Sequence, residues 1–548
     1  MSTKNKTKKK NGGLNTSQSL ADYFLHGAVM VFVAFLLCLY PLLYHDKYFD
    51  MGASKWAIFK WACLVGFSII TVLWAWWAFA YRDRVKPMEE LKHLSGTDIA
   101  VLAFLLISLL SFMLAEDKVM ALWGYDGWFM GIMSQLFFVL LYIYTSRFWR
   151  RSYATLFLMV LAAAWCYQIG ILQRFGFNPM GMYDGVGEED IEKFLSTLGQ
   201  TSWYSSYAIL IVPFGMYAYW KAEKKAMRIA SGFFVALSFG MLCTTNSDSA
   251  YVAMVLICMV FFRYSLEENE RMARFLEMIT IGLFSLRVIG WMHRLFPERQ
   301  RTYITGEEAI SKFVTDSPVM LILLILMLLI TGAVRVYLMK TENKKERFEI
   351  KSIAKPVWTV TVVAAILVIW AVILCVILVS GHKLPEGSAL YNVNFFNFDL
   401  AWGNHRGFNW RAAVEALSRA NLKDMLVGVG PDCFAMAMDK YYMQEVAEYW
   451  HGLQLACAHN EWLNMLVTEG ILGVAAYIAV FVTAMIGASK RAVEDKRYIP
   501  YMCAILAYMG HNMFCYQQCI CTPVVFIFIG IAGRYLRDYR LRGGEGNV

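Results

Sequence analysis

Long apolar segments recur along almost the whole chain, and they constrain the fold more than any other feature of the sequence. Each is about 17 to 25 residues long, the length that an α-helix needs to cross the hydrocarbon core of a bilayer. Only 17% of the residues are charged, whereas soluble proteins have about a quarter. The sequence therefore predicts an all-α, polytopic membrane protein of about 12–14 transmembrane helices, with one large external loop that contains short helices.

The apolar segments divide the chain into five regions. Residues 1–22, rich in lysine and small polar side chains, are predicted to be a disordered basic cytoplasmic tail. Residues 23–380 hold predicted transmembrane helices one to eleven, 381–463 the large external loop with the candidate active site, and 464–538 the C-terminal transmembrane helices, before a cytoplasmic tail at 539–548. The individual spans are predicted at residues 25–44, 56–80, 98–115, 129–146, 153–173, 203–220, 227–245, 248–263, 274–292, 317–339, 357–380, 464–488, 499–517 and 521–537.

Lysine and arginine concentrate in alternate connections between these spans. Short basic connections resist translocation, so we expect them on the cytoplasmic side together with both ends of the chain. The net charge of +9 has the same explanation, and nucleic-acid binding is not predicted. Neither GxxxxGK[ST] nor GxGxxG occurs, so a nucleotide site is not expected. The basic connections are residues 82–86, 147–151, 221–228, 335–355, 490–497 and 534–542.

The segment 381–463 is the only long polar stretch, and this orientation places it outside the membrane. Arg406 and Arg411 flank Trp410 in its first half, and His459 lies near its end. Arginine binds phosphate oxygens through a planar, bidentate group that keeps its charge. Histidine is the side chain best suited to accept a proton near neutral pH. A substrate whose polar head is anchored in the membrane would need both groups at this depth.

A short amphipathic helix and a glycine turn are predicted between these residues. The helix should lie along the membrane surface. Gly428 and Gly430 allow a tight turn and a close approach of the backbone to a ligand or a helix. The apolar face of the helix is predicted to hold Ala413, Val414, Ala416, Leu417 and Ala420, and the polar face Arg411, Glu415 and Arg419.

The outer loop resembles a known family. The sequences HRGFNWRAAVEALSRANLKDMLVGVGPDCFAMAM and AHNEWLNMLVTEGILGVAAYI are similar to the O-antigen ligase and polysaccharide polymerase family of bacterial membrane glycosyltransferases. Members show an arginine shortly before a tryptophan, an amphipathic helix, a GxG turn, and a His-Asn pair before a span that opens with EGxLG-like residues. STLGQTSWYSSY (196–207) and TTNSDSAY (244–251) extend the resemblance more loosely.

The resemblance implies transfer of a glycan from an undecaprenyl-diphosphate carrier to an acceptor hydroxyl, by a polysaccharide polymerase or an O-antigen-ligase-like enzyme. The reaction would occur on the outer face of the cytoplasmic membrane of a bacterium, with a glycan, a lipid or a protein as acceptor. Arg406 would bind the leaving diphosphate, and His459 would orient or deprotonate the acceptor. The further residues predicted to bind substrate are Arg411, Trp410, Asn460, Glu461, Gln200 and Lys55.

No cofactor and no metal are expected. The chain contains no Asp-x-Asp, the pair that usually holds the metal in nucleotide-sugar transferases. Arginines would then neutralise the departing diphosphate, and a direct displacement would invert the anomeric centre.

The sequence departs from the family at one position. Many relatives have a second arginine in the turn near residue 248, where this chain has Asp248. The missing charge would come from Arg411, Arg174, Lys55 or an arginine of the external loop 293–316, unless the donor is bound differently.

Several candidate residues have structural alternatives. His459 could be a hydrogen-bonded structural histidine, and Arg406 or Lys55 could extend to lipid headgroups. For Arg411 and Arg419 a solvated helix face is the favoured alternative.

The cysteines leave two further questions open. Cys433 and Cys457 share the outer loop and either pair or remain free and buried. His511, Cys515 and Cys519 fall at helical spacing, which indicates packed helix residues or, less simply, a metal site.

Two other functions also suit a chain of this kind. A flippase or transporter of lipid-linked oligosaccharides would have as many spans, although neither a clear internal repeat nor deep ionisable pairs are evident in the sequence. A protein O-oligosaccharyltransferase would differ only in its acceptor.

Overall fold

The computed structural model describes residues 16–82, 94–245, 247–299, 309–342, 348–385 and 387–541. Most of these residues are helical. The only strands among them are β1 (Phe194–Leu195) and β2 (Gly199–Gln200), which pair antiparallel in a short hairpin. The prediction of an all-α fold is confirmed.

Twenty-two α-helices follow one another along the described part of the chain. In order they are α1 (Thr16–Ala34), α2 (Met51–Ala80), α3 (Gly96–Leu114), α4 (Lys118–Trp123), α5 (Ile132–Phe148), α6 (Tyr153–Arg174), α7 (Glu188–Ile191), α8 (Thr201–Lys221), α9 (Lys225–Thr244), α10 (Asp248–Ser265), α11 (Asn269–Leu295), α12 (Ala309–Asp316), α13 (Pro318–Thr341), α14 (Ala354–Ser380), α15 (Trp402–Arg419), α16 (Leu422–Val427), α17 (Phe434–Tyr441), α18 (Met443–Tyr449), α19 (Glu461–Thr468), α20 (Gly470–Glu494), α21 (Ile499–His511) and α22 (Thr522–Leu541).

Ten helical segments in these ranges are long and apolar enough to cross a membrane. They are built on α1, α2, α3, α6, α9, α10, α11, α13, α14 and α20. The shorter apolar helices Ile132–Phe148 and Thr522–Gly533, together with α8 and α21, coincide with the remaining predicted spans. The chain is a multi-pass, all-α membrane protein.

Helices α8, α21 and α22 form the centre of the bundle. Residues 204–212 and 525–529 are fully buried, as expected of helices that are apolar on all sides. The surrounding helices present large apolar side chains outward, among them Val72 and Leu106. Lipid is the natural cover for such a surface, because backbone polar groups are already satisfied within each helix.

The outer loop lies on one end of this bundle, which we call the loop face. It is the side on which α14 ends and α20 begins. There, Phe408, Ala412 and Ala416 of α15 pack with Phe434 and Ala437 of α17 in a separate apolar cluster. The short loop helices are thus a folded cap with its own core.

Several predicted boundaries differ from the structure. Helix α1 begins at Thr16, so the predicted tail 1–22 is helical in its last residues, while residues 1–15 lie outside the described part. The predicted tail 539–548 begins inside α22, and residues 542–548 lie outside the described part. The predicted span 464–488 is two helices, α19 and α20, because Gly470 adopts a positive φ of 70°.

The predicted span 499–517 differs from the structure in the way that matters most for the site. Helix α21 ends at His511, and residues 512–521 form a mostly buried, non-helical segment before α22. Apolar composition predicted the burial correctly, but it did not predict the end of the helix.

The predicted amphipathic helix is present as α15. Of its predicted apolar face, Ala413 and Ala416 are buried together with Ala412, whereas Val414 is 55% exposed. Helix α15 packs on α17 and α19, and small alanine side chains permit that close contact.

Candidate functional site

Arg406 follows an unusual backbone kink at the start of α15. Gly403, Asn404 and His405 have positive φ values of 60°, 56° and 65°, a conformation that costs a non-glycine residue about 1–2 kcal/mol. The Arg406 Nη1 donates to the carbonyl oxygen of Gly403 at 2.7 Å, and the His405 ring bonds the hydroxyl of Tyr449 at 2.7 Å. The kink therefore holds the half-buried Arg406 side chain against the loop. Strain of this kind concentrates at functional sites.

His459 lies on the same face, in an aromatic setting. Its φ is +50°, and its ring meets those of Trp128 and Tyr516 edge to face, with centroids 6.3 and 5.3 Å away. Loss of hydration, and after it the positive charge of Arg406, lower the pKa of the His459 imidazole to about 4. The structure therefore brings Arg406 within electrostatic range of His459. An uncharged imidazole is in the form that accepts a proton.

Gln200 belongs to this cluster through Tyr516. The Tyr516 hydroxyl donates to the Gln200 side-chain oxygen at 2.5 Å and accepts from Trp203 Nε1 at 2.9 Å. Tyr516 comes from the non-helical segment after α21, which had been predicted to be part of a span. Gln200 is therefore one tyrosine ring away from His459.

Asn460 and Glu461 make their hydrogen bonds within the protein. The Asn460 side-chain oxygen caps α19 by accepting from the backbone N–H groups of Trp462 and Leu463 at 3.1 and 3.2 Å. Glu461 is buried, and burial raises its pKa to about 7. Both residues fix the turn that carries His459.

The carboxylate of Glu461 is held by three donors. It accepts from the hydroxyl of Tyr477 at 2.5 Å, from that of Tyr508 at 3.0 Å, and from the side-chain amide of Asn512. The backbone N–H of Glu461 also donates to the Asn512 carbonyl oxygen at 2.9 Å. The His459 turn is thereby fastened to the end of α21 and the segment after it.

The network continues from Asn512 across the bundle. His511 bonds the Asn512 side-chain oxygen at 3.0 Å and the hydroxyl of Ser205 at 2.9 Å. Ser205 in turn donates to Ser247 at 3.0 Å. No sequence motif predicted this network. A His-Asn pair at the end of an apolar segment was the one available signal.

The metal-site alternative at His511, Cys515 and Cys519 depended on helical spacing. The three residues do not share a helix, because α21 ends at His511. Among the described residues, no group of three or more metal-binding side chains is close enough together to hold an ion.

A small pocket of about 20 Å³, with room for little more than one water molecule, lies beside this network. Its lining includes carboxylates, amides and aromatic rings, and no lysine or arginine. The polar and aromatic residues of the lining include Trp128, Gln135, Asp432, Glu461, Tyr516 and Gln517.

Asp432 connects the outer loop to the bundle. Its side-chain oxygen accepts from the backbone N–H groups of Tyr125 and Met130, each at 2.8 Å, and burial raises its pKa to about 7. Beside it, the Gly430 N–H donates to the carbonyl oxygen of Thr468 at 2.9 Å. The expectation that the glycine turn permits a close backbone approach to a helix is met at α19.

Trp410 and Arg411 differ in their surroundings. Trp410 stacks on Phe514, with ring centroids 5.9 Å apart, and its Nε1 is buried without a hydrogen-bond partner among the described residues. A buried donor left unpaired costs about 1–3 kcal/mol, so a ligand acceptor there would be favourable. Arg411 is exposed, as expected of a residue on a solvated helix face.

Lys55 is fully buried within the protein. Its Nζ donates to the carbonyl oxygens of Tyr40 and Pro41 at 3.3 and 3.0 Å, and no carboxylate lies within ion-pair distance among the described residues. These carbonyls become available where the first span turns from α-helix to π- and 3₁₀-helix around Pro41. The alternative that Lys55 extends to the headgroups is wrong, since its exposure is 0%.

Arg174 is the candidate that the structure brings to the turn containing Asp248. Its Nε donates to the carbonyl oxygen of Thr244 at 2.8 Å, and the side chain is buried. Ser247, in the same turn, belongs to the network that reaches Glu461. Within the loop 293–316, residues 300–308 lie outside the described part, as does Asn246.

All cysteines, Cys433 and Cys457 among them, are free, and these two are buried. The disulfide alternative is therefore wrong, and the free alternative is confirmed.

Neither protein-family models nor curated proteins match this chain.

Proposed function

We propose that this chain transfers a glycan from a polyprenyl-diphosphate carrier to an acceptor hydroxyl. The observation that carries the proposal is that Arg406 and His459 both lie at the loop face, close enough for the guanidinium charge to add to burial in lowering the pKa of His459. A cation for the diphosphate and a base for the hydroxyl are the two groups that this reaction needs. The motif resemblance of residues 405–438 and 458–478 points to the same chemistry.

In the proposed reaction, the acceptor oxygen bonds to the anomeric carbon while the bond from that carbon to the diphosphate oxygen breaks. The electron pair of the broken bond stays on the diphosphate, and Arg406 offsets its added negative charge. The proton of the acceptor hydroxyl passes to the His459 imidazole. A bound diphosphate would also offset the charge of Arg406 at His459, and so raise the pKa of the histidine when the donor is in place.

The rings of Trp128 and Tyr516, which meet the His459 ring, offer an aromatic surface for the sugar end of the substrates. We assign the loop face to the outside of a bacterial cytoplasmic membrane, with both chain ends in the cytoplasm, on the alternation of basic connections.

The test is glycan transfer by the full chain reconstituted with a lipid-linked donor. We expect Arg406→Ala and His459→Ala each to reduce transfer at least about 10²-fold, the loss typical of a removed transition-state contact. Arg419→Gln is the matched control, because Arg419 is an exposed arginine of the same helix that pairs with Glu445 at 2.8 Å. It should transfer at the unmodified rate.

Two results would contradict the proposal. One is full transfer by both variants in a chain that remains monodisperse in detergent. The other is movement of labelled lipid-linked oligosaccharide across the bilayer without any new glycosidic bond, which would favour a transporter.

A further inference from the structure

The position of the His459 imidazole depends on the backbone that follows it. The ring meets the rings of Trp128 and Tyr516, and contacts of this kind are worth only about 0.5–1.5 kcal/mol. The backbone of His459 has a φ of +50°, which persists only where neighbouring contacts impose it. The place of the imidazole is therefore set by the contacts that fix residues 460 and 461.

Asn460 fixes the helix that it caps. Its side-chain oxygen accepts from the N–H groups of Trp462 and Leu463, and both of these residues belong to α19. Such bonds shape the start of α19 without tying it to another part of the chain. A contact outside α19 is needed to place the turn relative to the bundle.

Asn512 supplies that contact at two points. Its backbone carbonyl oxygen accepts from the Glu461 N–H at 2.9 Å, and its side-chain amide donates to the Glu461 carboxylate. The side-chain oxygen of the same amide bonds the His511 ring at 3.0 Å. A reversed amide would set this oxygen against the carboxylate, which only accepts hydrogen bonds when ionised, so the side chain fits in one orientation.

His511 holds the amide in that orientation. Its ring lies between the Asn512 side-chain oxygen and the hydroxyl of Ser205, which is 2.9 Å away on α8. Asn512 and His511 both have 0% exposure, so water does not compete for these bonds. The amide that holds Glu461 is thus itself fixed from a third helix.

The other donors to Glu461 act on its side chain alone. The hydroxyls of Tyr477 and Tyr508 bond the carboxylate and leave the backbone of the turn unrestrained. Within the described part of the chain, and outside α19 itself, Asn512 is the residue that bonds both the backbone and the side chain of Glu461.

We propose that Asn512 is the positioning residue of His459 and acts through Glu461. This rests on the proposed function, in which His459 accepts the proton of the acceptor hydroxyl. A group displaced by about 1 Å can lose about 10²-fold in rate. Arg406 is held by a separate contact, its 2.7 Å bond to Gly403, so binding of the donor should not depend on Asn512.

The first test measures glycan transfer by the full chain in nanodiscs that contain a lipid-linked donor. We expect Asn512→Ala to lower kcat at least about tenfold and to leave the KM for the donor within about twofold. Asn512→Asp should act in the same direction, because it keeps the size of the side chain and the oxygen at His511 but loses the donor to Glu461. It serves as the second variant if Asn512→Ala does not fold. Gln517→Ala is the matched control, since it removes a buried amide of the same segment that bonds Tyr477 at 2.9 Å, and its kcat should stay within about threefold of the unmodified chain.

The second test needs no transfer. Diethyl pyrocarbonate modifies neutral, accessible imidazoles, and mass spectrometry measures its rate at His459. We expect this rate to rise at least about threefold in the two Asn512 variants, because the released turn opens to water, and to stay unchanged in Gln517→Ala. In a chain that carries Glu461→Ala, adding Asn512→Ala should change the rate less than about twofold, because the side-chain contact is already lost.

Unchanged kcat together with unchanged modification of His459 in the Asn512 variants would overturn the proposal. Equal effects of Gln517→Ala would also overturn it, because they would show a general loosening of the segment. The two proposals can fail separately. Faster modification in the variants of a chain that transfers no glycan would refute the proposed reaction alone, and active transfer that is insensitive to Asn512 would refute the positioning role alone.

Discussion

The two candidate catalytic residues both depend on backbone conformations that side chains rarely adopt. His459 itself has a positive φ, and Arg406 follows three residues that do. Such conformations persist only when neighbouring contacts impose them. For His459 those contacts are the Asn460 cap and the anchored Glu461 carboxylate. For Arg406 they are its own bond to Gly403 and the His405–Tyr449 bond.

The pKa of His459 predicts the pH dependence of transfer. An ordinary histidine, with a pKa of about 6.5, would lose activity below that pH. Because the pKa of His459 is lowered to about 4, the imidazole stays neutral, and kcat/KM should remain level from about pH 8 down to about pH 5.5. A fall in kcat/KM centred near pH 6.5 would contradict this assignment.

The cause of the shift is testable at the same residue. Removing the positive charge in Arg406→Gln should raise the His459 pKa, although burial should keep it below its ordinary value. Arg406→Lys retains the charge and should leave the pKa low. Histidine NMR titration, with the signal assigned through His459→Gln, measures both. An unchanged pKa in Arg406→Gln would show that the guanidinium charge does not reach His459.

At the scale of elements, the outer loop is held on the bundle by backbone contacts as well as by side chains. Gly428 has a φ of +77°, and a Cβ there would come 2.1 Å from the carbonyl oxygen of Thr468. On the other side of the contact, a Cβ on Gly470 would lie 2.3 Å from Leu426. Two glycines thus let the loop backbone lie directly on the break between α19 and α20.

Gly428→Ala should therefore detach part of the loop. Overlap and the positive φ together should cost about 2–3 kcal/mol. Gly452→Ala is the matched control, because Gly452 has a φ of +85° but no atom within 4 Å of an added Cβ, so it should cost only about 1 kcal/mol. Hydrogen exchange of residues 421–460 should rise clearly more in Gly428→Ala. Similar exchange in the two variants would contradict the close backbone contact.

At the scale of the whole molecule, one buried polar network ties together helices that are distant in sequence. It runs from Ser247 through Ser205, His511 and Asn512 to Glu461. The turn that contains Asp248 and approaches Arg174 is thereby joined to the turn that carries His459. Buried networks are stable only when each member has its partners.

Because Ser205 and His511 are hydrogen-bonded, substitutions at the two positions should have non-additive effects on the free energy of unfolding. Ser205→Ala and His511→Phe should each lower the free energy of unfolding by about 1–3 kcal/mol, because each leaves a buried partner unpaired. The double variant should lose less than the sum, by about 1 kcal/mol.

The comparison pair uses the opposite end of the same helix, α8. Tyr219→Phe removes a 2.8 Å hydrogen bond to Glu277, and combined with Ser205→Ala it should be additive within about 0.5 kcal/mol. Denaturation in detergent micelles measures both cycles. Additive losses for Ser205 and His511 would contradict the coupling.

The spans were predictable because the bilayer imposes a local rule. A helix needs about 20 apolar residues in succession to cross it, so composition located the ten long apolar helices, although it extended the span at 499–517 beyond the end of α21. The close backbone approach at the glycine turn was also predictable, whereas the roles of Arg406 and His459 stay predictions. The docking of Gly428 and Gly430 follows from a property of glycine itself.

The rest of the site depends on contacts between residues far apart in the chain. Tyr516, His511 and Asn512 were hidden in an apolar segment, because burial in a polar network and burial in a helix have similar composition. His511 meets Ser205, 306 residues earlier, and no local pattern encodes such a pair. Local apolar composition thus sets which segments enter the membrane, whereas contacts between distant residues set which helices pack together and where the chain leaves its helices to build the site.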